Sequence, residues 1–174
     1  MKFLATKKIV FFTGARADYS TLRPLLFSLK KNSIKYLLYI SGIHTLKRLG
    51  ETLQNVKKDN FGPVRIIKFF REKDEINIKT FLEGVKKISL ALKRDKPKAI
   101  FILGDRFEAM IAAIAAHFAS IPIIHSGGGD ITLGSKDNIY RYIISHLAGL
   151  HLATSKKRKE RLKKIGFNKN LYFT

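Results

Sequence analysis

The sequence has no cysteine. That excludes a disulfide framework and any thiolate metal site. No apolar run approaches the roughly 18–20 residues that a membrane-crossing helix needs, and the amino-terminal MKFLATKK lacks a long apolar core of the secretory kind. The expectation is a cytoplasmic protein with no membrane partner. The five histidines show neither H-x-x-E-H nor H-x-x-x-H spacing, so no metal is expected. G-x-G-x-x-G is also missing. The triple glycine at 127–129 comes late and opens no helix at once, so no dinucleotide cofactor is expected. Repeats, low-complexity tracts and Pro/Gly linkers are absent as well, and a single domain over residues 1–174 is the simplest organisation.

Acid is scarce: 13 Asp and Glu stand against 34 Lys and Arg, a net charge of +21. A field of that sign attracts polyanions, whether nucleic acid, anionic lipid or a phosphorylated substrate. The cations are scattered along the chain, as on solvated helix faces. The exception is SKKRKERLKK at residues 155–164, which reads as a surface helix. It has none of the interleaved aromatics of a single-strand binder, and no zinc-finger or RNP signature accompanies it. Nucleic acid is therefore not the expected partner.

What is present is an alternation of short apolar runs with amphipathic stretches. Strands are predicted at residues 8–13, 36–40, 64–69, 99–103, 122–124, 150–153 and 171–174. Helices are predicted at 18–31, 45–58, 75–94, 107–120, 136–148 and 155–165. Continuous apolar strands alternating with helices imply an α/β fold, a doubly wound parallel sheet of Rossmann-like type covered on both faces. The last strand runs to the final residue, which raises the expectation of a further half beyond it. The chain is 45% hydrophobic, enough for a real core.

Four constellations fall at predicted strand ends, the ligand edge of an open α/β sheet. TGARAD at 13–18 follows a strand and opens a helix: its glycine permits a tight turn and Arg16 offers a fork of donors to phosphate. The same pattern is compatible with a turn glycine and a solvated arginine. In GDRFE at 104–108, Asp105 reads as a helix N-cap with Glu108 completing a box, and equally as an acid/base carboxylate. HSGGGD at 125–130 gives a backbone that can approach a ligand or simply move; His125 alone reads as a structural histidine. Asp137 and Arg141 lie four apart on one helical face, either as an exposed ion pair or with Asp137 facing the same cleft as Asp105.

Together these motifs resemble the hydrolysing UDP-N-acetylglucosamine 2-epimerases of sialic and related nonulosonic acid synthesis. The likeness runs from Lys8 to Thr174. It covers TGARADYSTLRPLL at 13–26, SGIH at 41–44 with Gly50 and Thr52, LGDRFEA at 103–109, IPIIH at 121–125, the glycine loop, Asp137 with Arg141, and residues 146–154. The resemblance implies the N-terminal domain of a two-domain, glycosyltransferase-B-type fold, with the C-terminal nucleotide-binding domain absent from this chain. It implies C2 epimerisation of a UDP-sugar with release of UDP through a glucal, without a cofactor. By the same resemblance Asp105, Asp137 and Asp130 are the catalytic carboxylates, and Arg16, His44, His125, Gly128 and Arg141 contact substrate. Two positions depart from the family's usual loop: Gly127 stands where Glu or His is usual, and Asp130 where Glu is usual. A UDP-sugar, held weakly by one half, is the expected ligand, and a complementary half or a second copy the expected partner. The alternative is a non-catalytic half-fold that serves only to pair with protein.

Overall fold

The computed structural model describes residues 8–47 and 52–173. Seven strands form one sheet: β1 (Ile9–Thr13), β2 (Tyr36–Ile40), β3 (Val64–Ile66), β4 (Ala99–Leu103), β5 (Ile123–Ser126), β6 (Leu150–Ala153) and β7 (Leu171–Phe173). The helices are α1 (Arg16–Lys31), α2 (Leu53–Lys58), α3 (Ile78–Asp95), α4 (Phe107–Phe118), α5 (Asp137–Leu147) and α6 (Lys156–Lys164). The strand order is β3-β2-β1-β4-β5-β6-β7, and each neighbouring pair is parallel. From β1 the chain winds outward through β2 and β3, then crosses back and winds the other way from β4. The switch therefore lies between β1 and β4, where carboxyl-end loops diverge and leave a crevice.

The two-residue side-chain period divides the core cleanly. Val10, Phe12, Ile100 and Ile102 face a cluster completed by α3, α4 and α5. Phe11, Leu38, Ile40 and Phe101 face the opposite cluster, with Leu22 and Leu26 of α1 and Leu53 and Val56 of α2. Both faces are covered, which is why the strands read as unbroken apolar runs. Alanine at 109, 112, 113, 115 and 116 lets α4 lie buried on the sheet along most of its length, with His117 and Phe118 exposed at its end. Leu162 of α6 packs with Ala153 and Leu171 in a smaller cluster.

Three predicted elements differ from the fold. The helix expected over 45–58 is instead a 3₁₀ turn at Gly42–Thr45 followed by α2; Gly50 lies outside the described residues. The run 64–69 is strand only to Ile66; the Ile67 N–H still donates to the Ile40 carbonyl (2.9 Å), and beyond it Phe69 and Phe70 are buried as packing. Helix α1 starts two residues early, because the Asp18 carboxylate accepts from the Ala15 N–H at 3.0 Å and the Gly14 N–H at 3.3 Å. Those are orphan donors of the first turn.

Candidate active site

The crevice is walled on one side by the β1–α1 turn. Arg16, the first residue of α1, is exposed. It lines an open cavity of about 320 Å³ with Ser20, Asn55 and Lys58. Behind it, His44 is wholly buried, its ring nitrogens within hydrogen-bond distance of Thr13 Oγ1 (2.9 Å) and Thr52 Oγ1 (2.6 Å). Burial pushes its pKa down to about 4, so the ring is neutral. With both nitrogens engaged and no exposed surface, His44 ties the β1 end to the 3₁₀ turn.

Asp105 sits just past β4. It is not the N-cap of α4: that position is Arg106, and no side chain caps the helix. Asp105 instead pairs with the guanidinium of Arg141, a buried residue of α5. The Arg141 fork also donates to the Asp130 carbonyl (2.8 Å), Asn138 Oδ1 (2.7 Å) and Thr132 Oγ1 (3.2 Å). Burial works against its charge, and contact with Asp105 offsets that cost. One guanidinium thus joins the β4–α4 turn, the glycine loop and the start of α5.

Asp137 is the first residue of α5. It stands one turn before Arg141, on the same helix face. The exposed Asp137–Arg141 ion pair allowed by the spacing does not form, since Arg141 is turned inward to Asp105. Asp137 is half-buried, with its own N–H donating to Ser135 Oγ (3.1 Å). Asp105 and Asp137, 32 positions apart by subtraction in the sequence, are thereby brought to the same side of the molecule.

The glycine loop is braced from below and from the side. His125 is wholly buried; Nδ1 lies 3.1 Å from Ser145 Oγ and Nε2 2.8 Å from the Gly104 carbonyl. Burial lowers its pKa to about 4. It is a brace between β4, β5 and α5. Gly128 packs on that brace, since a Cβ there would come 3.0 Å from Ser145 Oγ. Gly127 and Gly129 have φ of +91° and +79°, a region L side chains rarely enter. At Gly129 a Cβ would meet the Arg158 carbonyl at 2.5 Å. The close approach that Gly129 permits is therefore to α6. From α6, Arg158 pairs with the Asp130 carboxylate, and Arg161 donates to the Gly129 carbonyl.

Residues 28–174 match the model of the family described as UDP-N-acetylglucosamine 2-epimerase. The chain belongs to the UDP-N-acetylglucosamine 2-epimerase family. It is 31% identical over 168 residues to the polysialic acid biosynthesis protein P7 of Escherichia coli, covering 92% of this chain and 42% of that protein. It is 29% identical to the hydrolysing UDP-N,N'-diacetylbacillosamine 2-epimerase of Legionella pneumophila, covering 96% of this chain and 45% of that one. Among solved structures it superimposes on the UDP-GlcNAc 2-epimerase of Neisseria meningitidis bound to UDP-GlcNAc, with a TM-score of 0.83 at 19% identity, covering 96% and 45% of the two chains. The chain thus spans less than half the length of the relatives it matches.

Within this epimerase family fold, sequence reasoning missed four contributors. Asp18 and Glu108 form a buried acidic pair under the crevice, 6% and 2% exposed; both lay inside quoted motifs, but spacing gave no sign that they meet. Arg158 and Arg161 were hidden in a run of cations that read as solvated. Their contacts depend on where α6 docks, and no local pattern encodes that. Chemically, the arrangement pairs one carboxylate, Asp105, with a buried guanidinium, and leaves Arg16 exposed at the start of α1. Among the described residues no group of three or more metal-ligating side chains is assembled, and no helix is long and apolar enough to cross a membrane.

Proposed function

We propose that this chain is the N-terminal half of a hydrolysing UDP-N-acetylglucosamine 2-epimerase acting in the cytoplasm, completed by a second half that supplies the other wall of the nucleotide site. The observation that supports it is the pairing of Asp105, just past β4, with Arg141, which lies one helical turn after Asp137 on α5. One carboxylate removes the proton at C2 of the sugar. The C1–O bond breaks, UDP leaves with its electron pair, and a glucal remains. Water then adds at C1 while C2 takes a proton on the opposite face, giving the 2-epimeric free sugar. The sum is UDP-sugar plus water to epimeric sugar plus UDP, which needs no redox partner. Arg16, at the amino end of α1, meets the diphosphate, where an anion is also favoured by the free N–H groups. Arg141 holds Asp105 in place, and Asp130, fixed by Arg158, is the third acid near the sugar.

Relatives supply the substrate class: one solved structure of the family holds UDP-GlcNAc, and another, from Methanocaldococcus jannaschii, holds UDP-GlcNAc and UDP. The test is UDP release from UDP-N-acetylglucosamine, by this chain alone and mixed with the separately expressed C-terminal half of a relative. The expected result is release only in the mixture, with deuterium from D₂O entering at C2. Asp105→Asn should lower the rate by about 10²–10⁴, the usual contribution of a proton-transfer group. No release in either mixture would overturn the reading.

A further inference from the structure

Beneath the residues assigned above lies a structure they do not explain. Glu108, on the first turn of α4, is 2% exposed. A Cβ placed on Gly14 would come 2.7 Å from Glu108 Cβ, and one on Gly42 would come 2.5 Å from Glu108 Cγ. The β1–α1 turn and the 3₁₀ turn are both seated directly on this one side chain, with glycine required at each seat. The carboxylate is met by the backbone N–H groups of Ile43 and of Glu108 itself. Its Oε2 lies 3.6 Å from Arg106 Nε, an ion pair too long for a hydrogen bond, so both buried atoms lack a hydrogen-bond partner. Asp18 completes the group. One carboxylate oxygen takes the Gly14 and Ala15 N–H groups, and the other lies 3.8 Å from where a Cβ of Gly104 would stand, beside Asp105.

We propose that Asp18 and Glu108 are one coupled carboxyl pair of positioning residues, which locks the turn carrying Arg16 to the turn carrying Asp105. Neither touches substrate. The pair acts through the two backbones it holds, and its relevance to catalysis rests on the epimerase reading above. The charged groups facing it are few. Asp18 is faced by Glu108 and Arg106 from the start of α4 and by the N–H groups of its own turn; Glu108 is faced by Arg106 and the Ile43 N–H. Burial first, and then the charge of Glu108, push the Asp18 pKa up to about 6. Burial raises that of Glu108 as well. A proton enters this pair in a range where few carboxyls titrate, and it changes the charge that holds the Gly14–Ala15 turn.

The test is an NMR pH titration of the full chain with carbon-13 at the carboxyls, wild type against Glu108→Gln, which keeps shape and removes charge. In the wild type Asp18 should titrate near pH 6, and the Gly104 and Asp105 amide signals should follow its curve. In E108Q the Asp18 midpoint should fall, yet stay above the ordinary carboxylate range because burial persists. The pH profile of UDP affinity should shift with it, which a purely space-filling Glu108 would not cause. An Asp18 midpoint unmoved by E108Q, or Gly104 and Asp105 amides that ignore it, overturns the proposal. If E108Q does not fold, Asp18→Asn read on the Glu108 carboxyl decides the same coupling: a lowered Glu108 midpoint supports it and an unmoved one overturns it. Failure of the wild type to bind UDP would count against the epimerase reading, while the titration still decides the pair.

Discussion

Single residues set how this protein answers to pH, and they pull in opposite directions. His44 and His125 have pKa values pushed down to about 4 by burial. A group whose folded value lies below its unfolded one contributes stability fully above pH 6.5, and loses it as pH falls towards 4. Asp18 is the reverse: its folded value, about 6, lies above the ordinary 3.8. Its contribution is complete below about pH 4 and lost as pH rises through 6, so the ionised form at neutral pH costs the fold about 3 kcal/mol. Two histidines outweigh one carboxyl, so melting temperature should fall between pH 6.5 and 4, and His44→Gln should flatten that slope. Asp18→Asn should match or exceed the wild-type melting temperature at pH 7.5 and lose that standing at pH 5. A thermal-melt series across pH checks both. The position of Asp105 just past β4 was legible in the sequence, because a strand end announces where the next residues go. That His44 and His125 are braces was less legible, since their partners Thr13, Thr52 and Ser145 come from other elements.

At the scale of elements, the sequence spoke clearly wherever one period ran long enough. Helix α5 and strands β1, β2, β4 and β6 follow from it nearly to the residue, and α1, α3 and α4 to within two or three. It failed at the edge strand β3, where apolar residues serve packing instead of pairing, and over 45–58, where a turn seated on Glu108 interrupts the helical pattern. It also misread α6. As a solvated cation-rich helix, α6 should tolerate any Lys or Arg exchange. As a clamp on the glycine loop, it should not. The Arg158–Asp130 pair is partly exposed on both sides, so its loss should cost the fold under about 1 kcal/mol. Arg158→Gln should therefore melt within a few degrees of the wild type while amide exchange at Gly128, Gly129 and Asp130 accelerates. Lys159→Gln, one position on, should leave that exchange unchanged. Hydrogen exchange read by mass spectrometry or NMR separates the two readings of α6.

For the whole molecule, the question is what covers its surfaces. Helix α3 leaves Ile78, Leu82 and Leu90 exposed at 70%, 59% and 59%, among Lys79, Lys86, Lys87 and Lys93 on the same helix. Apolar surface favours pairing, while a net charge of +21 opposes bringing two copies together. Salt screens the second term and leaves the first. Light scattering at high protein concentration should therefore show association rising from low to about 0.3 M salt, and a strict monomer throughout would remove the pairing of copies. Substituting Leu82→Lys should abolish the rise without lowering the melting temperature.

The clamp of Arg158 on Asp130 joins residues 28 positions apart, the later one gripping the earlier. During synthesis every acid of the crevice, from Asp18 to Asp137, leaves the ribosome before the helix that fastens the glycine loop. A nascent chain arrested just past α5 would thus display a complete set of carboxyls on an unfastened loop. Of the groups described around the glycine loop, the clamp comes after the acid it holds in place.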